Sequence, residues 1–274
     1  MKKPLIIVRG GGDLATGTIH KLWAAGFPVL VLETEYPAAV RRQVAVCEAV
    51  YDGEAEIEGM KAVRIASGKE AEGVIHSGNV PVLVDPEGTC IPSFAPDVVV
   101  DAIIAKKNIG TRCNMAPLTI ALGPGFEAGV DVDVVIETKR GHNLGRVIRS
   151  GRAIPNTGIP GEIGGYAAER VIHSPAEGIM KNICRISDVV KTGEIIAEIV
   201  RPDGSCCPVE ASIPGILRGL IRDGYPVTKG LKIADIDPRE EELENCVTIS
   251  DKARCIAGGV LEAVAAYLLE PKSE

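Results

Sequence analysis

Hydrophobic residues near the start of the chain occur in short continuous runs, separated by segments with helical spacing. Leu5–Val8 and Val29–Leu32 are uninterrupted aliphatic runs, as expected of parallel strands that are buried on both faces. Pro81–Val84 and Val98–Ala102 predict further strands of the same sheet. The segment between the first two runs predicts a helix that stops at Gly26, and its apolar face consists of Leu14, Ile19, Leu22 and Trp23. This alternation predicts an open, mostly parallel α/β sheet.

The pattern changes near residue 115, where Gly and Pro become frequent and helical spacing disappears. Leu118–Leu122 and Val132–Glu137 are strand-like, and Gly-rich or Pro-rich segments follow them. Helical spacing returns only at the end of the chain. There Ser250 is a suitable N-cap for an apolar-rich helix that runs through Leu269.

An internal repeat lies between these two regions. The segment that begins at Gly178 is matched by one that begins at Gly215, 37 residues later, without any insertion. Each copy has a later glycine, Gly193 or Gly230, at the same distance from its start. Self-similarity at a fixed period indicates a repeated structural unit. Two such units resemble the halves of a biotinyl/lipoyl-type barrel-sandwich, although the lysine that carries the swinging arm in that family is missing here.

We therefore expect an α/β + β protein made of four segments. They are a Rossmann-like parallel sheet for a nucleotide or cofactor (1–115), a β-rich middle segment (116–171), a barrel-sandwich-like repeat module (172–240) and a C-terminal helix (241–274).

Composition narrows the classes of partner. Aromatic residues make up 3% of the chain and the net charge is −7, so neither base-stacking surfaces nor a basic patch for nucleic acid is expected. The eight cysteines are scattered without C-x-x-C spacing, which favours reduced thiols and predicts no metal site. Cys206 and Cys207 are interpreted as small residues at a hairpin tip, with a soft metal or selenium species as the alternative. No signal peptide or membrane span is recognised, which predicts a cytoplasmic protein.

A glycine-rich stretch, V-R-G-G-G-D-L-A-T-G at 8–17, joins the first predicted strand to the first helix. Gly10, Gly12 and Ala15 match the three positions of a dinucleotide-binding turn, and Glu33 follows the second strand, where it could bind a ribose. Asp13 argues the other way, since it places negative charge where a phosphate would bind. The stretch, including Gly11, is either a cofactor cradle or only a tight turn.

Two polar clusters supply candidate chemistry. The segment 101–114 follows a predicted sheet strand and offers an acid, cations and amide or hydroxyl groups to a ligand, namely Asp101, Lys106, Asn108, Thr111 and Arg112. The segment 137–146 contains His142, whose residue type suits general acid–base catalysis. Asp101, Lys106 and His142 are thus the candidate catalytic residues. A solvated surface is the alternative for both clusters.

Several long motifs run in order along nearly the whole chain. They are P-L-I-I-V-R-G-G-G-D-L-A-T-G (4–17), 101–112, G-P-G-F (123–126), I-E-T-K-R-G-H-N-L-G-R-V-I (136–148), P-N-T-G-I-P-G (155–161) and 217–239. This order resembles the YqeB-type accessory proteins of selenium-dependent molybdenum hydroxylases. The glycine stretch is also similar to that of XdhC-type cofactor chaperones.

The resemblance implies a maturation factor that binds molybdenum cofactor or a nucleotide beside Gly10–Gly12 and docks on a hydroxylase client. An NAD-dependent oxidoreductase and a non-catalytic docking scaffold are the alternatives. The candidate cofactors are NAD and molybdenum cofactor. Expected partners are the client protein and a small-molecule cofactor, with neither nucleic acid nor membrane, and a homo-oligomer is left open.

Overall fold

The computed structural model describes residues 3–155 and 161–270, which form two compact units. Unit 1 comprises 1–37, 45–157 and 249–274, and unit 2 comprises 38–44 and 158–248. Within the motif predicted at 155–161, residues 156–160 lie outside the described residues. The four-segment division expected from the sequence stays a prediction.

The strands of unit 1 match most of the aliphatic runs in the sequence. They are β1 (Ile6–Arg9), β2 (Val29–Glu33), β3 (Glu54–Ile57), β4 (Met60–Ile65), β5 (Val80–Val84), β6 (Val98–Asp101), β7 (Leu118–Leu122), β8 (Glu127–Ala128), β9 (Val134–Ile136), β10 (Val147–Ile148) and β11 (Gly151–Arg152). Its helices are α1 (Asp13–Ala24), α2 (Ala49–Asp52), α3 (Ala71–His76), α4 (Ile91–Phe94) and α5 (Asp251–Leu269). The predicted strands at 5–8, 29–32, 81–84, 98–102 and 118–122 and the two predicted helices are confirmed, with ends shifted by a residue or two.

One large mixed sheet forms the centre of unit 1. In the described residues it has nine strands in the order β10-β9-β7-β6-β1-β2-β5-β4-β3. Strands β9 through β4 in that order pair parallel, whereas the edge strands β10 and β3 pair antiparallel. β1 lies between β2 and β6, so the direction of strand order reverses at β1 and β6. The carboxyl ends of these two strands are where α/β sheets ordinarily bind ligands.

Unit 2 contains two four-stranded antiparallel sheets. Its strands are β12 (Val171–His173), β13 (Gly178–Asn182), β14 (Val189–Val190), β15 (Ile195–Val200), β16 (Cys206–Glu210), β17 (Gly215–Leu220), β18 (Pro226–Val227) and β19 (Lys232–Asp237). The sheet orders are β12-β19-β17-β14 and β16-β15-β13-β18. Each sheet therefore takes strands from both copies of the sequence repeat.

The repeat has a direct structural meaning at its first glycine. Gly178 and Gly215 both have a positive φ, of 157° and 143°. A Cβ at these positions would collide with the carbonyl oxygen of Val200 or of Asp237, respectively. The two glycines thus occupy equivalent sites, where a neighbouring strand approaches too closely for any side chain.

The predicted fold class is wrong. The first sheet is not a Rossmann-like parallel sheet confined to 1–115, because β7, β9 and β10 from the middle segment extend it and its edges are antiparallel. The repeat segment forms two separate antiparallel sheets and not a biotinyl/lipoyl barrel-sandwich. The repeat specifies strand lengths and turn positions, but strand pairing depends on contacts that no local pattern encodes. The residues Cys206 and Cys207 lie in β16 and not at the hairpin tip, where Asp203 accepts hydrogen bonds from Ser205.

Helix α5 packs against α1 and the end of the sheet through small residues. A Cβ at Gly17 in α1 would lie 2.7 Å from the Cβ of Ala253 in α5. A Cβ at Gly259 would collide with the carbonyl oxygen of Gly145, in the loop before β10. Gly258, the preceding residue of the same helix, faces open space. Gly259 is therefore required by packing, whereas a side chain at Gly258 would affect only helix propensity.

We expect Gly259→Ala to lower the free energy of unfolding of unit 1 by about 1–3 kcal/mol, because the added methyl group must displace backbone. Gly258→Ala is the matched control, and it should raise the free energy of unfolding by up to about 1 kcal/mol through helix propensity alone. Urea unfolding of the full chain measures both. Equal effects of the two substitutions would contradict the close approach of α5 to the loop.

Candidate functional site

The carboxyl edge of the large sheet is built around a buried arginine. Arg9, the last residue of β1, is 2% exposed. Its guanidinium donates hydrogen bonds to the Thr111 hydroxyl (2.5 Å) and to the Pro86 carbonyl (2.8 Å). The Thr111 hydroxyl in turn donates to Asp101 Oδ2 at 2.6 Å, and Arg9 Nη1 lies 4.0 Å from the same oxygen. Arg9, Thr111 and Asp101 thus form one buried polar chain, which we call the Arg9 network.

The loop after β6 is shaped by its own side chains. Asn108 accepts hydrogen bonds from the backbone of Gly110 and Thr111 and donates one to the Thr111 carbonyl. Ile104 and Lys106 have φ of +60° and +63°, in a region that side chains rarely adopt. This conformation places Thr111 on Arg9. The hydrogen bonds of the buried network hold this loop in its strained backbone conformation.

The glycine stretch closes against this loop. A Cβ at Gly10, where φ is +96°, would lie 3.0 Å from the backbone of Ala102 and Ile103. The turn after β1 and the loop after β6 therefore touch at the point where a dinucleotide would enter. The chain's own Arg9 network fills the space between the two strand ends.

Glu33 is likewise used inside the chain. Its carboxylate accepts hydrogen bonds from the backbone N–H groups of Gly11 and Thr34, both at 2.7 Å. Burial raises the pKa of Glu33, against the opposing effect of these two hydrogen bonds. A carboxylate committed to the glycine turn does not lie free for a ribose hydroxyl.

Two other acids hold loops at the same edge. Asp85, after β5, accepts hydrogen bonds from Thr89 and Cys90. Burial, and then the hydrogen bond and charge of Asp85, raise the pKa of the Cys90 thiol to about 12. Glu137, after β9, accepts hydrogen bonds from the backbone of Lys139 and Ile154. Carboxylates at four strand ends, from Glu33, Asp85, Asp101 and Glu137, therefore organise the loops of this edge.

Other predicted site residues are dispersed. His142 and Lys106 are both exposed, on the loops that follow β9 and β6. Arg112 is also exposed and lines a cleft of about 450 Å³ together with Asn108, Thr111 and Asp131. The structure thus brings Asp101, Thr111 and Asn108 together, whereas His142 and Lys106 are exposed on two different loops.

Lys252 is a functional candidate that the sequence did not single out. It lies in the first turn of α5 and is half-buried. Burial lowers its pKa from the ordinary value of 10.5, and the charge of Arg140 lowers it further, whereas Asp13, Asp251 and Glu137 act in the opposite direction. No hydrogen bond or ion pair of its Nζ is found among the described residues. The only sequence signal was a cation in a first helical turn, where acids are preferred.

Gly12 and Asp13 begin α1 beside this lysine. Gly12 is the N-cap residue and makes no side-chain cap, and a Cβ built on it would meet nothing within 4 Å. Gly17, one turn later, packs on Ala253, the neighbour of Lys252. The first turns of α1 and α5 are therefore adjacent, and both direct the positive end of a helix dipole to this region.

Among residues 3–155 and 161–270 there is no group of three or more His, Cys, Asp or Glu side chains that could hold a metal ion. No helix in the same ranges is long and apolar enough to cross a membrane.

Comparison with known proteins gives one close relative. The chain is 49% identical over 260 residues to the protein YqeB of Escherichia coli (strain K12), and the match covers 95% of this chain and 47% of YqeB. This similarity supports a YqeB-type protein, and the chain spans about half the length of that relative. No family model matches the chain.

Solved structures give distant likenesses. They include the product-bound ectoine utilization protein EutE (DoeB) from Ruegeria pomeroyi, with 9% identity, a TM-score of 0.29 and 85% of each chain covered. A succinylglutamate desuccinylase/aspartoacylase from Rhodobacter sphaeroides has 14% identity and a TM-score of 0.27 over 87% of this chain and 86% of that one. An aspartoacylase family protein from Mesorhizobium loti has 11% identity and a TM-score of 0.28 over the same shares.

The predicted function is corrected by these comparisons. The structures named above are a desuccinylase/aspartoacylase, an aspartoacylase family protein and an ectoine utilization protein, and none of these names is that of a molybdenum hydroxylase maturation factor. The maturation-factor prediction is therefore wrong, and nothing found supports molybdenum or selenium chemistry or a Rossmann site. Its alternatives, an NAD-dependent oxidoreductase and a docking scaffold, gain no support either. TM-scores below 0.3 do not carry the activities of those proteins over to this chain.

We expect Thr111→Val to lower the free energy of unfolding by about 2–4 kcal/mol, because it leaves Arg9 and Asp101 buried without the hydroxyl that links them. Thr34→Val is the matched control, since Thr34 is half-buried and its hydroxyl makes no hydrogen bond to the described residues. Chemical denaturation of both variants tests this. Equal losses of unfolding free energy in the two variants would show that the Thr111 hydroxyl adds no stability through the Arg9 network.

A second prediction concerns pH. Because the pKa of Lys252 is lowered, the folded chain binds fewer protons than the unfolded chain between that pKa and 10.5, so this group makes the free energy of unfolding rise with pH there. Lys252→Met should remove that rise and be most stabilising, relative to wild type, at the low-pH end of the window. Urea unfolding at a series of pH values checks this, with exposed Lys107→Met as the control. Parallel pH profiles for wild type and Lys252→Met would refute it.

Proposed function

We propose that unit 1 binds a small carboxylate-bearing molecule at the first turns of α1 and α5, with Lys252 as the group that contacts it. The observation that carries the proposal is the half-buried side chain of Lys252, whose Nζ has no hydrogen-bond partner among the described residues. A cation taken partly out of water without a partner costs free energy, and an anionic ligand would offset that cost.

Two of the three acids near Lys252 are committed elsewhere. Asp251 holds the Arg140 guanidinium through two hydrogen bonds, of 2.7 and 3.1 Å. The Glu137 carboxylate is bound to the backbone of Lys139 and Ile154. The charges of these two acids and of Asp13 keep the pKa of Lys252 from falling further, but none of the three makes a hydrogen bond to its Nζ. A ligand carboxylate would therefore meet an unshared ammonium group.

Two helix starts add to the attraction. α1 has 12 residues and α5 has 19, so each contributes a macrodipole whose positive end lies near Lys252. The open space beside Gly12 gives a ligand access to the first turn of α1. Backbone N–H groups and a lysine are a common combination for holding a carboxylate.

The lowered pKa of Lys252 also suits proton transfer. A lysine whose pKa is lowered loses its proton at a lower pH than an ordinary lysine, so its Nζ can exchange a proton with a bound molecule. Reaction chemistry at this site would therefore begin with a proton taken up or released at the Nζ of Lys252.

Titration calorimetry with succinate at low ionic strength tests the proposal, with acetate and inorganic phosphate as comparison ligands. Loss of one charge-assisted contact corresponds to about 10- to 100-fold in Kd, so Lys252→Met should weaken succinate binding by that factor. Lys107→Met should not change it. Binding should also weaken as pH rises, beginning below the ordinary lysine pKa of 10.5.

Two outcomes contradict the proposal. One is the absence of saturable succinate binding to the wild-type chain. The other is equal affinity of wild type and Lys252→Met, which would place any bound carboxylate elsewhere. Lys252→Arg separates charge from proton transfer, since it keeps the cation but cannot release the proton.

A further inference from the structure

A second cleft lies at the opposite edge of the large sheet. It has a volume of about 1030 Å³ and is bounded by the amino ends of β1, β2, β5 and β6 and by parts of α1, α3 and α4. This volume is at the upper end of the range for small-molecule pockets. None of the residues around Lys252 or in the Arg9 network lines it. It is therefore independent of the site proposed above.

The cleft collects aromatic side chains from a chain that has very few. The sequence contains one Trp and three Phe. Trp23, Phe27 and Phe94 all line this cleft, and each is half-buried, so part of each ring faces the open space. Ile75 and Pro28 complete the apolar lining. The remaining phenylalanine, Phe126, is 3% exposed and belongs to a separate core cluster.

Two of the rings are held in fixed positions. The indole N–H of Trp23 donates a hydrogen bond to the Gly78 carbonyl at 2.7 Å, and its ring lies 5.7 Å from that of His20. The Phe94 ring covers Gly68 so closely that a Cβ there would lie 2.9 Å from its Cζ. Because the only donor of the indole is already used, Trp23 offers a ligand the face of its ring. Positioned aromatic faces favour stacked or edge-to-face contact with another ring.

The rim of the cleft carries more lysines than acids that are free of a hydrogen bond. The cations Lys3 and Lys69 are exposed at the cleft, and the Nζ of Lys3 lies beside Gly26 at the end of α1. The imidazole of His76 is exposed there as well. Of the two acids, Asp97 already accepts a hydrogen bond from the Leu5 backbone, and Glu72 is exposed to solvent. An anionic group on a ligand would therefore find cations at the rim while its ring enters the apolar part.

We propose that this cleft is a second binding site, which takes a planar aromatic molecule that bears a carboxylate. The rings of Trp23, Phe27 and Phe94 contact the aromatic face, and the rim lysines contact the acid. Aromatic pairs add a modest free energy beyond area burial, so a saturated ligand of the same size and charge should bind less well.

The test compares 2-naphthoate with decahydronaphthalene-2-carboxylate, which has the same carbon skeleton and charge but no aromatic face. Calorimetry on the full chain should give a Kd for naphthoate at least about tenfold lower than that for the saturated acid. Trp23 is the only tryptophan, so saturable quenching of its emission by naphthoate reports binding in this cleft.

Phe94→Leu keeps the apolar volume and removes one ring, and it should weaken naphthoate binding by about two- to tenfold. Phe126→Leu makes the same change in the other core cluster and should leave the affinity unaltered. Lys252→Met should also leave it unaltered, so that failure here and failure of the succinate experiment remain distinguishable.

Three results would overturn the proposal. Equal affinities for the two acids would mean that the cleft does not recognise aromatic faces. Naphthoate binding that leaves Trp23 emission unchanged would place the ligand elsewhere. Equal weakening by Phe94→Leu and Phe126→Leu would reflect general loss of stability and not ring contact.

Discussion

A guanidinium buried at the end of the central strand organises the loops at the carboxyl edge of the large sheet. Arg9 ends β1 between β2 and β6, and its charge cannot stay there without partners. Thr111, Asp101 and the Pro86 carbonyl supply them from the loops that follow β6 and β5. The positions of those loops follow from this requirement, and the loop after β6 reaches the backbone beside Gly10.

This constraint explains why a glycine-rich stretch need not bind a dinucleotide. Gly10 is required because the loop after β6 touches it, and the N–H of Gly11 is taken by Glu33. Of the three glycines, only Gly12 leaves open space where a Cβ would lie, and it is the N-cap residue of α1. Gly10 thus serves packing, Gly11 binds Glu33, and Gly12 leaves room at the start of the helix.

Most charged groups at the carboxyl edge of the large sheet in unit 1 are hydrogen-bonded within the chain. Four strand-end carboxylates hold backbone N–H groups of neighbouring loops, so these acids are already occupied. Lys252 differs because its ammonium group is partly buried and finds no such partner among the described residues. The aromatic cleft at the other edge presents a parallel case, in which three half-buried rings face open space. In each place the unfilled interaction is the basis of the ligand that we propose.

The sequence by itself determined local structure and little beyond it. Continuous aliphatic runs placed β1, β2, β5, β6 and β7, because burial on both faces leaves no polar position in such strands. The 37-residue repeat correctly marked Gly178 and Gly215 as equivalent. It could not decide how the repeat strands pair, or that β7 and β9 join the first sheet, because strand pairing is set by contacts between distant residues.

The residues of the candidate site were likewise predictable only in part. Asp101, Thr111 and Asn108 were predictable as strand-end polar residues. Only the tertiary structure shows that Asp101 and Thr111 are bound up in the Arg9 network. Only the tertiary structure places Lys252, more than two hundred residues from Asp13, beside the start of α1.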